Sequence, residues 1–227
     1  MPSSGEPAVP GGLPGEPGGL PGEEAPAGKA SLRRRILAAR ASMPDSARAD
    51  AGRLIRDHLL GMPEIAAAGT VAAYYSVGTE PDTRGLVFAL WKRGSYVILP
   101  VLLPDGDLDW ASYEGPDSLV PGPRGLLQPA EPARGAQAVA RAEAVLVPAL
   151  AVDVAGNRLG RGGGSYDRAL ARVGPRVPVI ALLYDEELLP SVPAMPHDQR
   201  VRAAARPAHG ITWLPAGESA GKPHGYA

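Results

Sequence analysis

From Lys29 to Met43 the apolar positions Leu32, Ile36, Ala39 and Met43 recur at helical spacing, with Lys29, Arg33, Arg34 and Arg40 off that stripe. Ser42, Pro44 and Asp45 read as the start of a second helix. Ala47, Ala51, Leu54, Ile55, His58 and Leu59 continue it, and Gly61 and Pro63 stop it. The period then changes. Thr70–Ser76 and Ser95–Leu99 are short runs with β-branched and aromatic members, the second ending at Pro100. Leu108–Tyr113 alternates like an edge strand, whereas Glu143–Val147 and Val177–Tyr184 are continuously apolar, as strands covered on both faces are. Helices are predicted over Thr83–Arg93 and Ser165–Val173, and a further strand over Val201–Ala205. Such alternation predicts an α/β sandwich around a mostly parallel sheet. Ligands of such sheets sit beyond the carboxyl ends of the strands. The candidate site segments are therefore Val77–Asp82, Pro100–Leu103, Pro148–Gly164 and the chain from Asp185 onward.

Composition narrows this picture. Residues 1–28 hold 8 Gly and 7 Pro and repeat the hexamer GGLPGE at 11–16 and 18–23, without the strict period of collagen. So little to bury predicts a disordered tail, one ordered domain over 29–214 and a second flexible tail over 215–227. The 227 residues carry 23 Lys+Arg against 24 Asp+Glu, a balance that argues against a polybasic binder of nucleic acid or membrane. There is no Cys, which excludes disulfides, thiolate metal sites and thiol nucleophiles. No apolar run is long enough to span a bilayer, and the N-terminus lacks a signal-peptide pattern. A cytoplasmic, soluble protein is expected.

The sharpest chemical feature is Asn157-Arg158-Leu159-Gly160-Arg161-Gly162-Gly163-Gly164-Ser165-Tyr166-Asp167-Arg168. Glycines let backbone N–H groups converge on an anion, a helix N-terminus favours negative charge, and Arg158 and Arg161 add forked donors. Asp167 either caps the following helix or holds Mg²⁺ beside phosphate. The competing reading is a flexible glycine hinge. A dinucleotide fingerprint is met only in part by Gly160, Gly162 and Gly164, since Ser165 holds its last position and no strand immediately precedes it. Lys29 and Arg33 lie one helical turn apart, so they either approach a triphosphate together or form a solvated basic face. In Glu80-Pro81-Asp82-Thr83, Asp82 or Thr83 can cap a helix, while Glu80 is free to bind an amino or pterin-like ring edge or to stand as a surface acid. Asp198, in Met195-Pro196-His197-Asp198, either joins Asp167 in a two-carboxylate Mg²⁺ site or is a turn residue.

Taken together, these segments resemble the 5-formyltetrahydrofolate cyclo-ligase family, also called 5,10-methenyltetrahydrofolate synthetases. The matching residues are Lys29-x-x-x-Arg33, Tyr74-Tyr75-Ser76, Glu80-Pro81-Asp82-Thr83, the block from Pro148-Ala149-Leu150-Ala151-Val152-Asp153 through Gly156-Asn157 to Gly164, Tyr166-Asp167-Arg168 and Pro196-His197-Asp198, in order across residues 29–213. The resemblance implies a three-layer α/β/α sandwich. It also implies an ATP- and Mg²⁺-dependent enzyme, expected to be monomeric, that converts 5-formyltetrahydrofolate to 5,10-methenyltetrahydrofolate. By resemblance, Lys29, Arg33, Arg158, Leu159, Gly160, Arg161, Gly162, Gly163, Gly164, Ser165 and Tyr166 contact ATP. Tyr75, Glu80, Arg161 and Tyr166 contact the folate, Asp167 and Asp198 hold Mg²⁺, and Arg161 and Lys29 are the catalytic cations. Three positions depart from the family pattern. Ser165 replaces a Tyr, Pro81 a hydrophobic residue, and Arg202 an acidic or polar one, where it could alter the charge beside Asp198. Two alternatives remain open at this point: a non-catalytic paralogue that binds folate or nucleotide, and a dinucleotide-dependent oxidoreductase.

Overall fold

The computed structural model describes residues 24–215. Of the tails expected over 1–28 and 215–227, residues 1–23 and 216–227 lie outside the described residues. Five helices, α1 (Glu24–Ala41), α2 (Asp45–Leu60), α3 (Pro63–Ala66), α4 (Arg84–Lys92) and α5 (Ser165–Leu170), surround a seven-stranded sheet. Its strands are β1 (Thr70–Ala72), β2 (Tyr96–Leu102), β3 (Leu108–Ser112), β4 (Ala144–Pro148), β5 (Val179–Leu182), β6 (Ala203–Arg206) and β7 (Gly210–Trp213). The order is β7-β6-β5-β4-β1-β2-β3, with five parallel strands in the middle and an antiparallel strand at each edge. After β3 the chain returns to place β4 on the other side of β1. The strand order therefore reverses between β1 and β4, and a crevice opens beyond their carboxyl ends.

The central strands alternate faces. Ala144, Leu146, Ile180, Leu182, Ala203 and Ala205 pack with Ile55 and Leu59 of α2 and Leu86 and Leu90 of α4. Val145, Val147, Val179, Ala181 and Ala204 pack on the opposite face, with Val139 of the 3₁₀ helix Ala136–Arg141 and with Ala169 and Leu170 of α5. This is the expected three-layer sandwich. Each fully buried Leu or Ile contributes about 2 kcal/mol by leaving water, so the double-faced apolar runs fix which segments become central strands.

Several boundaries differ from the sequence reading. β2 does not end at Pro100 but runs through it to Leu102. Leu103 bonds from its N–H to Asp107 O, and Ile98 accepts from Ala73 N–H, so even-numbered residues of β2 face β1. β1 pairs only as far as Ile98, so the missing N–H of Pro100 has no ladder to break. α5 ends at Leu170 rather than Val173, because Gly174-Pro175 follows and the chain tightens into turns. α1 begins at Glu24, inside the segment expected to be disordered, and Pro26 falls in the first turn, where N–H groups have no helical partner anyway. The Ser42 hydroxyl donates to Ala39 O, and Pro44 is the N-cap of α2.

The buried face of α1 matches the expected stripe only at Ile36 and, in part, Leu32. Ala39 is exposed, while Lys29, Ile36 and Arg40 are buried. α1 packs only its Ile36 region, against Leu150, Ala151, Leu159 and Val192. The rest of that face turns cations toward the crevice.

Candidate active site

The segment after β4 builds the site. Ala151–Asp153 pairs with Arg158–Leu159 and with Leu188–Leu189 in a small separate sheet. The turn between the first two is organised by the buried Asp153, whose carboxylate accepts from the N–H groups of Ala155, Asn157 and Val192 and from Asn157 Nδ2 at 2.9–3.0 Å. At Gly156 the backbone has φ +84°, and a Cβ would lie 2.5 Å from Val201 O, so only glycine fits. This turn delivers Arg158 and the glycine loop to the crevice.

There the loop lines a cavity of about 470 Å³. Every residue proposed from the sequence for ATP, folate or metal lies on this cavity: Lys29, Arg33, Tyr75, Glu80, Arg158–Asp167 and Asp198. Leu159 does so with its side chain in the small core beside Ile36. The expected segment Pro100–Leu103 contributes Pro100 and Leu102 to an apolar wall, and residues given no site role from the sequence join them, chiefly Arg40, Tyr74, Leu108, Leu126 and Leu127.

The glycine loop is pinned at both ends, which argues against a free hinge. Arg33 Nε donates to Gly160 O at 2.9 Å, and the Arg33 guanidinium lies 3.5 Å from where a Cβ of Gly162 would be. At the other end Ser165 Oγ and Arg168 Nη2 both donate to Gly106 O at 2.5 Å. Ser165, the departure from the family's Tyr, thus ties the start of α5 to the turn before β3. α5 has only six residues, and its N-cap is Gly164 in the left-handed region. Asp167 does not cap it. Its Oδ1 instead accepts from Arg158 Nη2 at 2.8 Å and from Gln199 N at 3.1 Å.

The cations are arranged in pairs. Lys29 donates to Asp198 Oδ2, which also accepts from Met195 N at 2.7 Å. Burial pushes the Asp198 carboxyl upward, but the Lys29 and Met195 hydrogen bonds and the Lys29 and His197 charges outweigh it and hold it below its ordinary value. Arg202 makes no ion pair with Asp198 among the described residues, and its backbone N–H bonds to Val179 O, at the entrance to β6. Arg33 has no carboxylate partner among the described residues. Arg161, half-exposed, reaches Glu80 Oε1 at 3.3 Å. Glu80 also accepts from Val77 N at 3.1 Å, and burial holds its carboxyl above the usual range. Thr83 locks this loop by donating to Tyr74 O and accepting from Ser76 N. Asp82 supplies the acceptor for the Arg84 N–H at the start of α4.

Among the described residues no cluster of three or more His, Asp or Glu could hold a metal alone. Two carboxylates fit a different kind of site. No protein hydrogen bond falls on Asp167 Oδ2 or Asp198 Oδ1 among the described residues. One or two carboxylate oxygens completed by phosphate and water is the donor set Mg²⁺ favours. The dinucleotide alternative does not fit, because the loop follows Arg158–Leu159, a short antiparallel strand outside the main sheet. No helix among the described residues is long and apolar enough to cross a membrane.

Comparison with known proteins agrees with this geometry. The model of the 5-formyltetrahydrofolate cyclo-ligase family matches residues 25–207. The 5-formyltetrahydrofolate cyclo-ligase of Mycolicibacterium smegmatis is 38% identical over 84% of this chain and 99% of its own length. That of Escherichia coli is 30% identical over 71% of this chain and 91% of its own. The NMR structure of 5,10-methenyltetrahydrofolate synthetase from Aquifex aeolicus has the same fold, with a TM-score of 0.72 at 24% identity, covering 88% of this chain and 99% of that one.

Proposed function

This chain belongs to the 5-formyltetrahydrofolate cyclo-ligase family, and from that premise we propose how its cavity carries out the reaction. Its activity is that of a 5-formyltetrahydrofolate cyclo-ligase. On our reading it consumes ATP, with Mg²⁺, and releases ADP, phosphate and 5,10-methenyltetrahydrofolate.

A formamide oxygen is a poor nucleophile and a worse leaving group. Transfer of the γ-phosphoryl group to the formyl oxygen breaks the bond to ADP and solves the second difficulty. The N10 lone pair then attacks the formyl carbon, the C–O bond breaks with loss of phosphate, and N10 releases its proton. The product carries its positive charge over N5, carbon and N10. No side-chain nucleophile is needed, so the protein supplies positioning and charge.

The residues divide the work. Arg33, Arg158 and the N–H groups of the glycine loop hold the phosphates, with Ser165 and Leu159 shaping the wall. Lys29 and Arg161 balance the charge that builds on the transferring group, a role in which losing one fixed donor costs roughly 10²–10³ in rate. Tyr75, Tyr166 and Glu80 receive the folate ring, and the apolar wall excludes water. Asp167 and Asp198 would hold Mg²⁺ through Asp167 Oδ2 and Asp198 Oδ1, which accept no hydrogen bond among the described residues, and the ion would neutralise phosphate charge. On this reading the enzyme works as a cytoplasmic monomer, without nucleic acid or membrane.

The observation that carries this reading is the Arg161–Glu80 pair, which joins the phosphate wall to the ring wall inside one cavity. The test is isotopic. With a heavy oxygen isotope in the formyl group, the label is expected in the released phosphate. Its retention on an organic product would refute phosphorylation at that oxygen.

A further inference from the structure

Among the buried side chains lining the cavity, those of Arg40, Tyr74 and Arg158 each hold a hydrogen-bonding group that no described residue takes up. Arg40 is 1% exposed. Its Nε and Nη2 donate to the Glu187 carboxylate at 2.6 and 2.7 Å, and Nη2 also to Ala149 O at 2.7 Å, but Nη1 has no partner. The Tyr74 hydroxyl, also buried, has none either. Both residues line the cavity. Buried orphans of this kind are few in folded proteins and each needs an explanation.

The surroundings say what kind of partner is missing. Arg40 is donor-only, and Glu187 already neutralises it, so this is not a second phosphate site. The lining cation without a carboxylate partner among the described residues is Arg33, which bonds to the glycine loop instead. Glu80 is acceptor-only when ionised, and it lines the same cavity as Arg40 and Tyr74. The Tyr74 hydroxyl stays protonated, because burial pushes it well above its ordinary value. The cavity therefore offers an acceptor and donors on side chains that are themselves buried.

We propose that Arg40 is a specificity-determining residue whose Nη1, together with the Tyr74 hydroxyl, binds the carbonyl oxygen at position 4 of the pterin ring while Glu80 takes the N3–H and 2-amino group. This rests on the folate reading of the cavity. A carboxylate and a guanidinium lining one cavity match the donor–donor–acceptor edge of that ring. They mismatch a ring carrying a 4-amino group, which would set a donor against a donor. The position-4 carbonyl stands next to the formylated N5, so gripping it also fixes where the formyl oxygen points.

The test compares calorimetric binding of 5-formyltetrahydrofolate and its 4-amino-4-deoxy analogue to the full chain. The wild type is expected to prefer the 4-oxo ligand by at least about tenfold, since a hydrogen bond to a charged group is lost with the analogue. Arg40→Lys keeps a cation for Glu187 but loses the fork. The double variant Arg40→Met/Glu187→Gln removes both charges at once and avoids a lone buried carboxylate. Both are expected to lose most of the preference, with KM for the folate raised and KM for ATP unchanged. Retained preference in either folded variant would overturn the assignment. So would equal binding of the two ligands by the wild type, a result that does not depend on any variant folding. A wild type that binds neither pteridine would instead overturn the folate reading itself, and this inference with it.

Discussion

Arg161 Nε lies 3.3 Å from Glu80 Oε1, so the glycine loop and the loop after β1 are joined directly across the cavity. The arginine side chain is 54% exposed and the carboxylate 9%. A pair with one wet partner contributes little to stability, about 0–1 kcal/mol. Its value is positional: a ligand that enters must exchange this contact for its own. Arg161→Ala is therefore expected to leave the melting temperature nearly unchanged and to slow turnover by about 10²-fold. Arg161→Lys should recover only part of the loss, because the fork is missing. Normal steady-state kinetics in Arg161→Ala would remove it from the reaction.

Glu80 makes a prediction with opposite signs for stability and function. Burial raises its carboxyl above the ordinary range, with the Val77 N–H and the Arg161 and Arg40 charges pulling part of the way back. A raised carboxylate binds its proton in the folded state at a pH where the unfolded chain has lost it. Its contribution to stability therefore falls as pH rises through that window. Glu80→Gln should not lower the melting temperature at neutral pH. It should weaken folate binding by at least about tenfold, since the ionised acceptor is gone. In the wild type, folate affinity should fall on acidification earlier than for an ordinary Glu, and this limb should vanish in Glu80→Gln. An unchanged acid limb in the variant would assign it to another group.

The legibility of the fold followed burial. β4 and β5 are covered on both faces, so their apolar runs stood out, as did the period of α2 and α4. The small sheet of Ala151–Asp153, Arg158–Leu159 and Leu188–Leu189 was invisible, because two- and three-residue strands have no period to read. In the site, the glycine loop and its arginines announced themselves by composition. Arg40 did not: on a helix it reads as a solvated cation, and only Glu187, 147 residues away, explains its burial. Tyr74 was legible as part of a strand end but not as a hydroxyl without a partner.

Asp167 and Asp198 can be separated from ordinary ion-pair residues by metal titration. Asp167→Asn and Asp198→Asn are each expected to raise the Mg²⁺ concentration needed for half-maximal rate. The double variant should lose less than the product of the two, because they serve one ion. Some stability should also be lost, since Arg158 and Lys29 lose charged partners, but added Mg²⁺ should not restore it. Identical Mg²⁺ curves for wild type and both variants would refute the shared site.

The start of α1 gives a prediction from truncation. A chain beginning at Glu24 should keep wild-type KM for ATP. A chain beginning at Lys29 puts this cation at a fraying helix end, and its link to Asp198 should weaken. KM for ATP should rise several-fold in the shorter chain alone. Equal KM values would mean that the first turn of α1 does not hold Lys29 in place.

The central claim is that one cavity joins ATP chemistry to closure of the folate ring. Mixing the purified chain with Mg-ATP and 5-formyltetrahydrofolate should produce the near-ultraviolet absorbance of the methenyl product, with one phosphate released per product and none without the folate. Binding of both ligands with no product would contradict the account and leave a non-catalytic folate- and nucleotide-binding protein in its place.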